Sequence, residues 1–469
     1  MAIRNQWIDI LAAHAPEDFA VLREMARLVH GQGGQAYLVG GCVRDVLQGI
    51  PGHDFDVEVH GIPADKLSAL LSAHWELNQV GASFGVIKFA HRDIDVALPR
   101  RENLIGKGHR DFSIATDPYL GVAEASARRD FTINAMMLDL LTGELVDPWN
   151  GRSDLANGIL RHVSDHFIED PLRVLRAMQF LARFPLVAAP ETIEVCARMS
   201  QEHLPPERIA GEWEKLLLKG RQPSRGLQFL LDCGWLRFYP ELEALVGCEQ
   251  YELYHPEGDV WRHTCLALDA TVPLRTDSQE DNLVRALAVL LHDVGKPSVT
   301  CMGPKGHLVA WNHENEGLPL AERFLNRMWN QPRLVRDVLV LIQNHMRPVP
   351  LQLEDCGPRA YRRLSVEVKR LDLLADVVEC DMRGTLASEE TLRIVNDFRS
   401  RIRELAIDKA PPPPIVGGKD LIRLGFRPGP LFGDILGRCY EAQLSGAFAG
   451  IDDGIAYLEK LLKELDLTP

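Results

Sequence analysis

No apolar run in the sequence approaches the roughly 18 residues that a membrane-crossing helix needs. The first ten residues, MAIRNQWIDI, lack the apolar core of a secretory signal. None of the nine cysteines (Cys42, Cys196, Cys233, Cys248, Cys265, Cys301, Cys356, Cys380 and Cys439) forms a CxxC pair. They read as small buried residues of a reducing compartment. Positive charge is in deficit, since 52 Lys and Arg against 66 Asp and Glu leave a net charge of −14. That excludes a wholly basic surface for nucleic acid, but not a local basic groove. Internal repeats and long low-complexity tracts are absent too. What remains is a chain of 469 residues, 46% hydrophobic and 25% charged. Such a chain reads as a cytoplasmic globular protein of about three domains, with no membrane partner.

One stretch asks for an explanation: LVGGCVRDVLQGIPGHDFDVEV, residues 38–59. Phe55, Val57 and Val59 alternate with Asp54, Asp56 and Glu58. Side chains on a strand alternate faces, so one face is apolar and the other holds three carboxylates. Close like charges repel, and a divalent cation relieves them. Two metal ions about 4 Å apart can clamp the attacking and leaving oxygens of a nucleotidyl transfer. Gly40 and Gly41 let backbone N–H groups approach a triphosphate, and the following helix N-terminus favours anions. Arg44 would add a cation to the phosphates. Asp95, in DIDVAL, is a third candidate carboxylate, able to hold metal and polarise the incoming hydroxyl. Arg100, Arg101, Lys107, Arg110, Arg128 and Arg129 concentrate positive charge nearby. A bare D-x-D also suits a solvated strand face, but GGxxRD ahead of it favours the catalytic reading.

Along the chain, residues 6–30 have helical periodicity. QAYLV reads as a strand, turned by the glycines into a helix that ends near Gly49. FGVIKFAH and DIDVAL read as a hairpin around Arg92 and Asp93. Residues 100–118 read as a loop, RRDFTINA as a helix, and MMLDLLTGELVDPW as a second hairpin turning at Thr142-Gly143. Helical patterns dominate from about residue 155, and PPPP at 411–414 is a stiff linker before a last helical segment.

LVGGCVRD…HDFDVEV, RRDFTINAM…DPWNGRSDL and EDPLRVLRA together resemble the bacterial-type (class II) tRNA nucleotidyltransferase and poly(A) polymerase family, over roughly residues 36–185. The resemblance implies an α+β fold: a polymerase-β-like nucleotidyltransferase head, then an all-helical neck, body and tail. The expected divisions are 1–155 for the head, 156–250 for the neck, 251–410 for an HD-type helical domain and 411–469 for linker and tail. It also implies Asp54 and Asp56 as Mg²⁺ ligands, CTP and ATP as substrates and the tRNA 3′ end as acceptor.

In RRDFTINA, Arg128 and Arg129 are placed to hold phosphate or ribose, with Asp130 fixing one guanidinium. A surface salt-bridge cluster would look the same from the sequence alone. In EDPLRVLRA, Asp170 followed by Pro171 makes a ready helix start. Arg173 and Arg176 share a helix face. The resemblance implies that Asp170 and Arg173 offer hydrogen bonds to the Watson–Crick edge of the incoming base, and that Arg176 holds phosphate or base.

A second constellation spans residues 260–384: VWRHTCLALDAT, LAVLLHDVGKP, WNHENEG, LIQNHMRP and ECDMRG. It resembles the HD phosphohydrolase superfamily, with His263, His292, Asp293 and Asp381 as ligands of one metal. His313 and His345 would line the site or hold a second metal. Imidazole ligands favour Ni²⁺, Co²⁺ or Mn²⁺ there. Such a centre would hydrolyse phosphomonoesters or 2′,3′-cyclic phosphates, unless these are core histidines of an inactive domain.

Three other readings compete with CCA addition to tRNA. One is a poly(A) polymerase or an enzyme adding only the terminal A. Another is an HD hydrolase with an inert head, and a third is a silent RNA-binding protein. Residues 417–469 carry six Lys and Arg against eight Asp and Glu, so the tail is not the basic one that arbitrary RNA ends would favour. The intact Asp54/Asp56 pair opposes the inert head and the silent protein.

Overall fold

The computed structural model describes residues 6–50, 54–78, 86–104, 112–386 and 388–468. The chain divides into two compact units: residues 1–216 with 225–238, and residues 217–224 with 239–469.

The first unit begins with α1 (Gln6–His14) and α2 (Pro16–Gly31), separated where Pro16 starts a new helix. Next come β1 (Gln35–Val39), α3 (Gly41–Leu47), β2 (Phe55–His60), α4 (Ala64–Ser72), β3 (Leu77–Asn78), β4 (Val86–Phe89) and β5 (Ile94–Ala97). β6 (Arg100–Leu104), β7 (Phe112–Thr116), α5 (Val122–Ala127), β8 (Met137–Asp139), β9 (Leu145–Val146), α6 (Gly151–Ala156) and, further on, α7 (Leu172–Arg183) complete what positions the site. The main sheet has the order β3-β4-β5-β2-β1-β8-β9. Within this sheet, among the described residues, only β2 and β5 pair in parallel; the other neighbours are antiparallel. Phe55, Val57 and Val59 face the core with Ile94, Val96 and the Leu22, Met25 and Val29 stripe of α2. The alternation along β2 therefore aims its acidic residues at the opposite face.

Two local expectations are corrected. β6 and β7 form an antiparallel pair, Arg100 opposite Thr116 through Leu104 opposite Phe112, where a loop was expected. The ladder satisfies backbone groups that a loop would leave to water. Lys107 and Arg110, with Phe84 and Gly85 of the first hairpin, lie outside the described residues. RRDFTINA is not a helix: α5 stops before Arg128, and only Thr132–Asn134 form a 3-10 turn. The reason is Asp130, whose Oδ1 accepts the Phe131 N–H at 2.8 Å and the Asn134 side-chain amide at 3.0 Å. Such local bonds compete with helix formation. The second hairpin forms as expected, with Met137 opposite Val146 and Gly143 at a φ of 70°.

The second unit is largely helical. Helices Val260–Asp269, Gln279–Leu291, Pro332–Asn344 and Leu371–Gly384 pack together. Two starts are fixed by side-chain caps: Asp259 accepts from the Arg262 N–H at 2.9 Å and Ser278 from the Asp281 N–H at 3.2 Å. Each cap contributes about 1 kcal/mol. Pro411–Pro414 belong to no helix or strand; the Pro412 carbonyl accepts from the Tyr440 hydroxyl and the Pro413 carbonyl from the Gln443 amide, both at 2.8 Å. Helices Gly418–Arg423, Leu431–Leu444 and Ile451–Glu464 close a separate small core around Leu421, Ile435 and Leu458. Among the described residues no helix is long and apolar enough to cross a membrane.

Candidate active sites

In the first unit, β1 is followed by Gly40, which has a φ of 80° that favours glycine. A Cβ there would lie 3.5 Å from both Asp56 Oδ2 and Arg129 Nη1, so the turn sits directly over the acidic face. Asp56 is the parallel-sheet neighbour of Asp95, and Lys88 of β4 pairs with Asp95 from the other side. Burial, Asp54 and Asp95 raise the Asp56 carboxyl above its usual range, against the pull of Arg129 and Lys88. Asp54 and Asp95 thus both repel a charge on Asp56. The all-oxygen donor set of the three aspartates fits a hard divalent cation such as Mg²⁺.

Glu58 behaves differently from the third metal-facing carboxylate that alternation suggested. It is 1% exposed, takes a hydrogen bond from His60 Nε2 at 3.1 Å and pairs with Arg128 Nη2 at 3.1 Å and Arg129 Nη2 at 3.6 Å. Burial opposes its charge, yet His60, Arg129 and Arg128 hold its carboxyl below the ordinary value. Glu58 anchors the two arginines instead. They line a cavity of about 240 Å³ together with Asp56, Asp95 and Arg100. Arg129 Nε is buried there without a hydrogen-bond partner among the described residues. Arg100 was visible in the sequence only as one basic residue among several.

Arg44 is 5% exposed. Its guanidinium bonds to Asn134 Oδ1 at 2.9 Å and to Asp45, and lies 4.5 Å from the Phe184 ring centre. A Cβ on Gly41 would come within 3.5 Å of Arg44 Nη2, so the two remain adjacent. Asp130 was expected to fix one of its neighbouring arginines; it pairs with Arg176 of α7 instead, at 2.8 Å from Nε and 2.6 Å from Nη2. Arg173 donates to the carbonyls of His166 and Arg128. α7 therefore grips the Arg-Arg-Asp turn from two points. Asp170 takes the Leu172 N–H at 3.1 Å and Arg208 Nη2 at 2.9 Å, a partner with no signature in the motif.

In the second unit the six residues singled out meet in one place. His263 Nε2 and His292 Nε2 are 3.2 Å apart, with Asp381 Oδ1 3.1 Å from the former and Asp293 Oδ2 3.2 Å from the latter. His313 Nε2 lies 3.2 Å from His345 Nε2 and 3.3 Å from Asp293 Oδ1. Among the described residues, two of the three groups that could hold a metal lie here: His263, His292 and Asp381, and Asp293, His313 and His345; the third is His255, Glu257 and His263. Asp293 thus faces both of the first two sets.

Each imidazole is oriented through its other nitrogen. Nδ1 of His292, His313 and His345 lies 2.6–2.8 Å from the carbonyls of Val289, Ala310 and Ile342. His263 Nδ1 lies 2.8 Å from Glu257 Oε1. These bonds put the Nδ1 protons on the outside and turn the Nε2 lone pairs toward one another, the arrangement of metal-ligating histidines. Facing lone pairs at such a distance need a proton or a cation between them. Burial opposes a charge on His292, but Asp293 and Asp381 raise it to about 10. Burial and His292 lower His345 to about 4. Mixed imidazole and carboxylate donors fit a transition metal.

Two glycines let the cluster close. A Cβ on Gly295 would sit 2.1 Å from the His313 carbonyl, and one on Gly384 would sit 2.9 Å from His263 Cε1. Glu257 lies outside the histidine motifs of the sequence. It is 6% exposed, and with His255 and His263 bonded to it its carboxyl falls to about 2 despite burial.

A family model described as the poly A polymerase head domain matches residues 36–161. One described as "Probable RNA and SrmB- binding site of polymerase A" matches residues 188–245. A multifunctional CCA protein of Xanthomonas campestris pv. campestris is 34% identical over 427 residues, covering 88% of this chain and 98% of the relative. The Bacillus stearothermophilus CCA-adding enzyme in complex with CTP aligns with a TM-score of 0.63 at 21% identity, covering 94% of this chain and 97% of that one. The Thermotoga maritima CCA-adding enzyme complexed with tRNA_CCA gives 0.62 at 19%, covering 97% and 98%. These likenesses show the fold: a sheet-bearing head and a largely helical remainder.

Proposed function

The chain belongs to the family of the multifunctional CCA proteins, and from that premise we propose that it adds C, C and A to the tRNA 3′ end, from CTP and ATP and without a template. The observation that supports this most is Asp56 beside Asp95, in a cavity walled by Arg128 and Arg129 under the Gly40 turn. In the reaction the terminal tRNA hydroxyl oxygen bonds to the α-phosphorus, the bond to pyrophosphate breaks so that pyrophosphate departs, and the hydroxyl proton passes to solvent water. Mg²⁺ held by Asp54, Asp56 and Asp95 would supply charge stabilisation when bound. Asp95 polarises the attacking hydroxyl. Arg128 and Arg129, fixed by Glu58, meet the phosphates. Gly40 and Gly41 keep the face of the turn above Asp56 free of side chains, and Arg44 is buried beside Gly41, bonded to Asn134 and Asp45.

Base choice falls to residues 156–250, the neck, where Asp170 supplies an acceptor and Arg173 donors. Arg173 has five N–H donors, of which the His166 and Arg128 carbonyls engage only part. Arg176 steadies the turn through Asp130.

For the second unit we propose an HD-type phosphohydrolase that trims damaged RNA ends. It rests on the inward-facing Nε2 atoms of His263, His292, His313 and His345. Nickel, cobalt or manganese held by these residues with Asp293 and Asp381 would supply Lewis acidity when bound. Water forms a new P–O bond, one ester P–O bond breaks, and the water's proton ends on the released ribose oxygen.

The test offers purified protein tRNA transcripts ending before CCA, after C and after CC, with each NTP singly. Ordered incorporation of C, C and A is expected. Incorporation of A alone on the CC end would place the protein among A-adding enzymes, and unlimited A on any RNA among poly(A) polymerases.

A further inference from the structure

The cavity beside the histidine cluster is larger and more aromatic than a phosphate needs. Its volume is about 700 Å³, within the roughly 300–1,000 Å³ of small-molecule sites. Asp293 and Asp381 line it, and so do Tyr251, Tyr254, His307 and Trp311. Tyr251 and His307 stack with centroids 4.4 Å apart and planes at 23°. Tyr254 meets Tyr251 edge-on at 5.3 Å. Tyr254 is 67% exposed and Trp311 66%, so neither ring is placed there to fill the core. These rings come from outside the helices that carry His263 and His292. Tyr251 and Tyr254 lie in the turn before helix Val260–Asp269. His307 and Trp311 flank Leu308–Val309, the second strand of the hairpin formed with Cys301–Met302. Lys296 lines the same cavity, with Nζ 2.7 Å from Asp293 Oδ2 and 2.8 Å from Gln250 Oε1. A cation thus stands in the cavity that runs from the metal-ligand cluster to the ring wall.

We infer that this wall is a base-stacking subsite: Tyr251 and Trp311, supported by Tyr254 and His307, hold the nucleobase of the terminal nucleotide while its phosphate lies at Lys296 and the cluster. The inference rests on the hydrolytic reading of the cluster given above. Stacking on a π-face is tolerant of base identity, because every base offers one. No opposed set of base-edge donors and acceptors is needed. The subsite therefore accepts purine and pyrimidine ends alike, in contrast to the C and A selection of the transferase.

The test compares adenosine 2′-monophosphate, cytidine 2′-monophosphate and 2-glycerol phosphate on the full-length protein supplied with Mn²⁺, Co²⁺ or Ni²⁺. All three are phosphomonoesters of secondary alcohols, and only the last lacks a base. The two nucleotides should have KM values within a few-fold of each other. Tyr251→Leu and Trp311→Leu should each raise those KM values about tenfold, with kcat and glycerol phosphate hydrolysis nearly unchanged. An independent readout uses chelator-treated protein. Adenosine 2′-monophosphate should quench the Trp311 fluorescence, taken as wild type minus Trp311→Leu. Tyr251→Leu should shift that quenching to about tenfold higher concentration. If wild type hydrolyses all three esters, both variants leave every KM unchanged and Trp311 is not quenched, the subsite is refuted while the hydrolytic reading stands. Quenching without hydrolysis of any ester supports the subsite and refutes phosphomonoester hydrolysis at the cluster; the absence of both overturns both.

Discussion

Asp130 and Arg176 form a pair in which one carboxylate oxygen accepts from both Nε and Nη2, at 2.8 and 2.6 Å. It fastens the Arg-Arg-Asp turn to α7, the helix that starts beside Asp170. Burial opposes the charge on Asp130, but Arg176, Asn134 and the Phe131 N–H hold its carboxyl below the ordinary value. A depressed carboxyl stabilises the fold at pH values above its unfolded pKa, about 3.9, and loses that contribution as pH falls through the folded value. Asp130→Asn should therefore cost about 1–3 kcal/mol at pH 7, discounted for the partial exposure of Arg176. The gap from wild type should close as pH drops below about 4. Urea midpoints measured from pH 7 to pH 3 check this; a gap that stays constant throughout contradicts it.

Asp56→Asn is expected to lower nucleotide addition at least a thousandfold, about 4 kcal/mol in barrier, with tRNA affinity retained. Asp54→Asn and Asp95→Asn should follow the same direction. Because Asp54 and Asp95 repel Asp56, its neutral replacement should hold or raise the melting temperature. Single-nucleotide incorporation, a tRNA-binding assay and a thermal melt decide the matter together. Addition near the wild-type rate would remove Asp56 from the catalytic assignment.

The two activities should separate. His292→Ala combined with Asp293→Ala is expected to abolish hydrolysis of 2′,3′-cyclic-ended RNA while CCA addition continues. Glu257→Gln touches no substrate, yet it should weaken binding of Mn²⁺ or Co²⁺ about 10–100-fold by releasing His263. Direct metal titration reads that effect without any turnover. Unchanged affinity in Glu257→Gln would leave Glu257 as a buried structural acid only.

Asp170→Ala should lose discrimination against UTP and GTP more than it loses triphosphate affinity, by about 1–3 kcal/mol per mismatched group. Its bonds to the Leu172 N–H and Arg208 make a competing forecast: a loss of about 0.5–2 kcal/mol of stability with unaltered selectivity. Incorporation of all four NTPs beside a melting curve distinguishes the two.

Several features were legible because they are local. The glycine turn, the alternating β2, the Thr142-Gly143 hairpin and the apolar helix ending at His292 are each written within a few neighbouring residues. Where the outcome depended on distant partners, the pattern misled or stayed silent. Alternation alone puts Glu58 with Asp56, but Arg128 and Arg129, seventy positions on, decide what Glu58 does. Asp130 finds Arg176 rather than its chain neighbours, because the Phe131 and Asn134 bonds fix the turn. Glu257 sits outside every histidine motif, and its role appears only once His263 is seen bonded to it. The aromatic wall is drawn from two segments that look like ordinary loops.

The four prolines before the last helices have one more consequence, and it concerns what the chain gives up on folding. An ordinary connector of that length would surrender backbone freedom at every residue, about 1–2 kcal/mol each. Proline is already restricted to a narrow range of φ before the protein folds. Two hydrogen bonds, from Tyr440 and Gln443, therefore suffice to seat the run against the helices it leads to. Pro411–Pro414 act as a strut whose rigidity is inherited from the unfolded chain, and the terminal core assembles on a support that needs little ordering.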